Sequence, residues 1–107
     1  EYEQNLVHLI KDLRVHLKQP SLPVVIGELG NLGKEAGKNM QSIRDAQRKA
    51  CDRKEWKGTV SFVETISFAR PNADSPNVGH GHHWFGNAES YFLIGDALGK
   101  SMVGLLK

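Results

Sequence analysis

The chain is 107 residues long, with 39% hydrophobic and 24% charged residues and a formal net charge of +2. This length fits one domain or a part of one, and the composition is ordinary for a globular protein. The small net charge gives no argument for nucleic-acid binding, and no stretch approaches the ~20 apolar residues of a membrane-spanning helix. We therefore expect neither nucleic acid nor a membrane as a partner.

The first thirty residues predict a helix followed by a strand. Apolar residues recur at helical spacing up to Leu17, and Pro20 ends the pattern because proline disfavours helical geometry in the residue before it. The run Val24-Val25-Ile26 lies between proline and glycine, which predicts a short strand buried on both faces, as in a parallel sheet. The predicted apolar face of the helix contains Tyr2, Leu6, Leu9, Ile10, Leu13 and Leu17.

A glycine-rich loop at residues 27–37 precedes a second predicted helix, from Met40 to about Arg53. Basic residues, Arg44 among them, cluster between Lys34 and Lys57 with acidic residues interleaved, which favours a solvated helix face over a phosphate-binding patch. Asp45 and Gln47 are accordingly expected at the surface. Cys51 is the only cysteine, so no disulfide is expected, and its setting favours a small apolar residue over a nucleophile. The inward positions are predicted to be Met40, Ile43, Ala46 and Ala50.

The last third of the chain predicts a strand within residues 59–68, a long loop at residues 70–86 and a final helix. Asn87 is a good N-cap residue, and Glu89 would place a negative charge in the first helical turn, where it is favourable. The predicted buried stripe of this helix contains Tyr91, Ile94, Leu98, Met102 and Leu105.

Strands that alternate with helices predict the α/β class with a parallel sheet. Two strands are too few for an independent sheet of this kind, and both strands look like central ones. We therefore expect the chain to form the second half of a larger three-layer domain, with helices on both faces of the sheet.

A cluster of three histidines is the most unusual feature. His80, His82 and His83 lie in a glycine-rich loop that leads into the last helix, and such loops carry ligand and catalytic groups in α/β folds. Three interpretations remain open from the residues alone. A histidine could act as the general base of a hydrolase, the cluster could bind a metal, or the loop could make only ordinary hydrogen bonds.

Two glutamates follow the predicted strands. Glu28 lies between glycines directly after the first strand, and Glu64 lies at the end of the second. Carboxylates at this edge of a parallel sheet are potential functional groups, although a solvated loop residue is the more common case. Of the two, Glu28 is the stronger candidate.

Five segments together resemble a known family. They are residues 9–14 (LIKDLR), 22–30 (LPVVIGELG), 43–47 (IRDAQ), 81–84 (GHHW) and 87–100 (NAESYFLIGDALGK). In this order they resemble the C-terminal part of sialate O-acetylesterase-like and acetyl-xylan-esterase-like carbohydrate esterases, which are SGNH hydrolases. The resemblance implies a flavodoxin-like α/β/α domain and a serine esterase that removes O-acetyl groups from carbohydrate without a cofactor or metal.

The resemblance also implies roles for individual residues. A histidine just before the final helix is the family's catalytic base, which corresponds to His83, with His82 as the neighbouring alternative. Many SGNH hydrolases have an aspartate three residues earlier, but His80 stands there. Some carbohydrate acetylesterases use instead a glutamate at a strand end, and Glu28 lies in a Gly-Glu-Leu-Gly stretch of that kind, so the resemblance implies Glu28 as the orienting acid.

The family's Gly-Gln-Ser-Asn-like nucleophile block and its oxyanion-hole residues do not occur in this sequence. The implied partners are therefore an O-acetylated carbohydrate substrate and the N-terminal half of the same domain, and residues 1–107 alone are expected to be inactive. For the full-length protein we expect a secreted or periplasmic location. The competing hypothesis is a non-catalytic module in which the loop with His80, His82 and His83 binds a metal or a partner protein.

Overall fold

The computed structural model describes all residues, 1–107, and contains three α-helices and two β-strands. Five short 3₁₀ segments occupy parts of the connecting loops. The helices and strands alternate in the predicted order, so the α/β class is confirmed. Their bounds are α1 Tyr2–His16, β1 Val24–Gly27, α2 Lys38–Cys51, β2 Val60–Val63 and α3 Ala88–Leu106.

The two strands pair in parallel, as predicted. Val24 lies opposite Val60, and Gly27 lies opposite Val63. A crossover that contains α2 connects them, which is the βαβ unit expected for a parallel pair. The larger three-layer α/β/α domain remains a prediction, because the sheet observed here has only two strands.

Helices cover both faces of the strand pair. On one face Val24 and Val60 pack against a buried cluster of Val7, Ile10, Ala50 and Trp56 from α1, α2 and the segment after α2. Side chains alternate between faces along a strand, so Ser61 points the other way. It meets Ser101 of α3 through a hydrogen bond of 2.7 Å. The strand pair is thus enclosed between α1 and α2 on one face and α3 on the other.

The predicted apolar faces of α1 and α3 are only partly buried. Leu9 and Leu13 are 54% and 41% exposed, whereas Val7 and Ile10 form the inward side of α1. The prediction was also wrong for Tyr91, which is 49% exposed, because its hydroxyl is bonded at the surface of the histidine-containing loop. None of the helices has the combination of length and apolar character that crossing a membrane requires.

The expectation for α2 was wrong at two polar positions. Arg44 and Gln47, predicted to be solvated, are each only 7% exposed. Their side chains are buried because they satisfy backbone groups of the loop after β1. Asp45 is exposed, and Cys51 is buried as an apolar residue, as predicted.

The start of α3 follows its sequence signal. Asn87 is the N-cap residue, and its side-chain oxygen accepts a hydrogen bond of 3.1 Å from the backbone amide of Ser90. This bond satisfies one of the amides that a helix leaves free at its first turn. The cap fixes where the loop carrying the histidines enters the helix.

Candidate functional site

The candidate site lies at the carboxyl edge of the strand pair. In a parallel sheet the loops that follow the strands emerge at the same edge, where α/β proteins bind ligands. Here these are residues 28–37 after β1 and residues 64–87 after β2. Between them is a depression of about 530 Å³ whose lining includes Leu32, Ile66, Arg70 and Phe85.

We call residues 80–86 the histidine loop. His80, His82 and His83 are all exposed, and the ring centroids of His82 and His83 are 4.2 Å apart. The rings of His80 and His82 are 5.9 Å apart. The backbone folds back on itself, because the amides of His83 and Phe85 both donate to the carbonyl of His80 at 3.0 Å. The loop therefore presents its imidazoles from an internally bonded turn.

Two adjacent residues of the histidine loop have left-handed backbone geometry. Trp84 has φ 54° and Phe85 has φ 52°, which is unfavourable for residues with a bulky side chain. Strained backbone of this kind persists only where the surroundings hold it in place, and it concentrates at functional sites. One support is Tyr91 in α3, whose hydroxyl donates to the carbonyl of His83 at 2.7 Å.

Glu28 is buried beneath the site. Only 6% of the residue is exposed, and its Oε1 accepts hydrogen bonds from the backbone amides of Thr65 at 2.9 Å and Ile66 at 3.1 Å. Its Oε2 lies 3.7 Å from Nη2 of Arg48. The structure places Glu28 at the predicted strand edge, but no histidine is among the hydrogen-bond partners of its carboxylate. Its role as the orienting acid therefore stays a prediction.

Glu64, the weaker acidic candidate, is exposed at the same edge. Its carboxylate forms an ion pair of 2.9 Å with Nη1 of Arg48, whose guanidinium also lies over the ring of Phe62. Arg48 thus bridges Glu28 and Glu64. An exposed pair of this kind holds a side chain in place more than it stabilises the fold.

Arg44 and Gln47 of α2 hold the loop that follows β1. Arg44 donates to the carbonyls of Leu29 at 2.5 Å, Asn31 at 3.0 Å and Gly33 at 2.9 Å. Gln47 accepts from the amide of Leu29 at 2.9 Å. Their polarity concealed this role in the sequence. Their spacing was the available signal, since positions 44, 47 and 51 recur on one helix face.

Ion pairing links the long loop to the start of α3. Nη2 of Arg70 lies 2.8 Å from the carboxylate of Glu89. The hydrogen bond and charge of Arg70 lower the pKa of Glu89, and the same contact raises the pKa of Arg70. Both groups are charged at neutral pH, so Arg70 contributes a partly neutralised cation to the depression.

The other chemistries that the sequence suggested find less support in the geometry. No group of three or more histidine, cysteine, aspartate or glutamate side chains is placed to bind a metal ion. None of the hydrogen bonds made by serine hydroxyls goes to an imidazole: Ser61 bonds Ser101, Ser75 bonds Pro71 and Asn87, and Ser90 bonds Phe68. Residues 1–107 therefore contain no serine–histidine pair.

Comparison with known proteins identifies the family. No curated protein and no solved structure gave a significant match. A family model described as carbohydrate esterase, sialic acid-specific acetylesterase, matches residues 1–103, which is nearly the whole chain. The resemblance inferred from the five sequence segments is thereby confirmed: the chain belongs to the sialic acid-specific acetylesterase family of carbohydrate esterases.

Proposed function

We propose that this chain is the histidine-bearing part of a serine esterase that removes O-acetyl groups from carbohydrate, with His83 as the general base. The observation that carries the proposal is the position of His83. It is exposed on a strained, internally bonded loop at the carboxyl edge of the sheet, directly before α3. The family match supports the substrate class.

The reaction assigns a defined task to this imidazole. A serine hydroxyl would attack the acetyl carbonyl carbon while His83 takes its proton. The resulting imidazolium would return that proton to the sugar oxygen as the C–O bond breaks. Water would then be activated by the same imidazole to release acetate and regenerate the serine. An exposed imidazole on a fixed loop suits both proton transfers, because it must face substrate and serine without rearranging.

Glu28 is the proposed orienting acid. Two backbone amides donate to its Oε1 and hold the carboxylate in place. Its Oε2 makes only the 3.7 Å ion pair with Arg48 and retains the capacity to accept an imidazole N–H. A carboxylate held by one oxygen and free at the other is the arrangement that an orienting acid needs.

The nucleophile is proposed to come from another part of the same domain. The serine hydroxyls of residues 1–107 make no bond to an imidazole, and the seven serines lack the Gly-Gln-Ser-Asn-like setting of the family nucleophile. Backbone and side-chain donors for the oxyanion would lie in that part as well. The whole domain would thus have three layers, a sheet between two layers of helices, and this chain would contribute β1, β2 and their flanking helices.

Full-length protein carrying His83→Asn or the matched neighbour substitution His82→Asn tests the assignment. Acetate release from O-acetylated sialic acid, acetylated xylan and an aryl acetate should fall at least a hundredfold in His83→Asn and much less in His82→Asn. Wild-type rates in His83→Asn would refute His83 as the base. A selective loss in His82→Asn would transfer the role to His82.

Glu28→Gln in the same full-length protein tests the acid. Glutamine preserves an oxygen for the amides of Thr65 and Ile66 but removes the charge that would orient the imidazole. We expect kcat to fall at least tenfold with little change in melting temperature. A lower melting temperature with unchanged kcat would limit Glu28 to holding the strand ends.

Residues 1–107 on their own are proposed to be inactive. The purified chain should release no acetate from an aryl acetate above background. Activity above background that His83→Ala abolishes would overturn the proposal that the nucleophile lies elsewhere.

Metal binding by the histidine loop is the competing function, and the proximity of the His80, His82 and His83 rings is the observation in its favour. Calorimetric titration with zinc separates the two. Stoichiometric micromolar binding that is lost on replacing His80 and His82 would support the binding module, and an absence of binding would support the esterase.

A further inference from the structure

The histidine loop rests on a specific part of the loop after β1. The side-chain amide of Asn31 donates to the carbonyl of Gly81 at 3.4 Å, a long bond that joins residues fifty positions apart. Asn31 itself is only 5% exposed. Since an unpaired amide is costly to bury, the bond to Gly81 gives a reason for an asparagine at this position.

Leu32 completes the contact. A Cβ atom added at Gly81 would lie 2.5 Å from Cδ2 of Leu32, closer than any real contact permits. With glycine at position 81 the histidine loop lies directly on the Leu32 side chain, which would have to turn away if a Cβ were added. Leu32 has φ 66°, a left-handed conformation that directs the chain under the loop. We call Asn31 and Leu32 the seat of the histidine loop.

The seat is held from below by Arg44. Its guanidinium donates to the carbonyl of Asn31 at 3.0 Å and to that of Gly33 at 2.9 Å, on either side of Leu32. Arg44 is buried and belongs to α2, a regular helix packed on α1. A continuous set of contacts thus runs from the helical layer through Arg44 and Asn31 to Gly81, two residues before His83.

We propose that Asn31, held in place by Arg44, is a positioning residue that fixes the orientation of the histidine loop. The inference rests on the proposed function insofar as it assigns the loop a catalytic purpose. Asn31 touches no reacting atom in this role. It keeps the strained turn at Trp84 and Phe85 in one conformation, together with the bond from Tyr91 to the carbonyl of His83. A rigid loop holds an imidazole within the narrow range of positions that proton transfer allows.

Hydrogen exchange in the full-length protein tests the seat directly. The amides of His83 and Phe85 are bonded to His80 and not to Asn31, so their exchange reports on the order of the loop itself. Asn31→Ala should accelerate exchange of these two amides about tenfold and leave amides in the middle of α2 unchanged. The matched control is Asn39→Ala, an exposed asparagine on α2, which should change neither.

Asn31→Leu removes the same donor with a side chain of similar size. The carbonyl of residue 31 still accepts from Arg44, so faster exchange at His83 and Phe85 is again expected. This variant keeps the proposal testable if Asn31→Ala folds poorly. Unchanged exchange in a folded Asn31→Ala or Asn31→Leu protein would overturn the seat.

Kinetics connect the seat to catalysis. Asn31→Ala should lower kcat about tenfold with an unchanged KM, because the loop is positioned less accurately while substrate contacts remain. An unchanged kcat together with faster loop exchange would overturn the positioning role. A His83→Asn protein that remains active would instead refute the proposed function, and the exchange result would stand independently.

Discussion

Thr65 and Glu28 are hydrogen-bonded to each other twice. The amide of Thr65 donates to Oε1 of Glu28 at 2.9 Å, and its hydroxyl donates to the carbonyl of Glu28 at 2.9 Å. These bonds extend the pairing of β1 and β2 past Gly27 and Val63, the last residues in register. Thr65 is 1% exposed. Both loops of the candidate site therefore leave the sheet from a rigid edge.

Thr65→Val should lower the free energy of unfolding by about 1–2 kcal/mol, because the buried carbonyl of Glu28 loses its hydroxyl donor while the side chain keeps its shape. Chemical denaturation of the two proteins measures the difference. Thr65→Ser retains the hydroxyl and should recover part of the loss. Equal stability of the valine variant and wild type would mean that this hydroxyl contributes nothing net.

Gly30 allows the two loops to approach closely. A Cβ atom there would overlap Oγ1 of Thr65 and lie 2.7 Å from its carbonyl carbon. Gly30→Ala should therefore destabilise the protein by about 2–4 kcal/mol or prevent folding, since backbone has to move. Gly37→Ala is the control, because a Cβ there meets nothing within 4 Å. Thermal melting should separate the two variants clearly, and similar melting temperatures would contradict the close approach.

Arg44→Met removes the donors for three backbone carbonyls while keeping most of the side chain's volume. We expect a loss of about 3 kcal/mol in the free energy of unfolding, because hydrogen bonds from a charged donor are replaced by unsatisfied buried acceptors. The exposed Lys49 on the same helix provides the control, and Lys49→Met should change stability by less than about 0.5 kcal/mol. A loss of that small size in Arg44→Met would show that solvent replaces the guanidinium.

Cys51 should resist alkylation in the folded protein. Burial raises the pKa of its thiol from 9.0 to about 11. Only the thiolate reacts, so at pH 8 its population is about 100-fold lower than that of an ordinary cysteine. Because the chain has no other cysteine, the rate of iodoacetamide labelling followed by mass spectrometry reports on Cys51 alone. Labelling should become fast in denaturant, and equally fast labelling of native protein would contradict the burial.

The ion pair between Arg70 and Glu89 should make a contribution that disappears in acid. The pKa of Glu89 lies below its ordinary value of 4.5 in the folded protein, because Arg70 bonds the ionised carboxylate. A depressed pKa adds stability above the unfolded pKa, and this stability is lost as pH falls through the folded pKa. Melting temperatures of wild type and Glu89→Gln should differ slightly at pH 7 and converge below the folded pKa. A difference that grows towards acid would contradict the sign.

The fold class could be predicted from local patterns. Two strands and a helix start were predicted correctly, from the apolar run before Gly27, the alternation around Val60 and the cap residue Asn87. Each of these signals depends only on residues close together in the chain. The burial of individual side chains was predicted less well. Leu9 and Tyr91 fall on the predicted apolar faces of their helices but are exposed, because each helix buries only the side that its neighbour covers.

The sequence by itself determined the order of helices and strands, the histidine loop and the family, because these rest on local periodicity and on short segments of fixed composition. Only the tertiary structure decided that Arg44 and Asn31 are buried and lie beneath Gly81. Their partners are backbone carbonyls of loops, and the position of a carbonyl in space leaves no trace in residue type. Polar side chains therefore look alike in the sequence whether they face water or hold a loop in place.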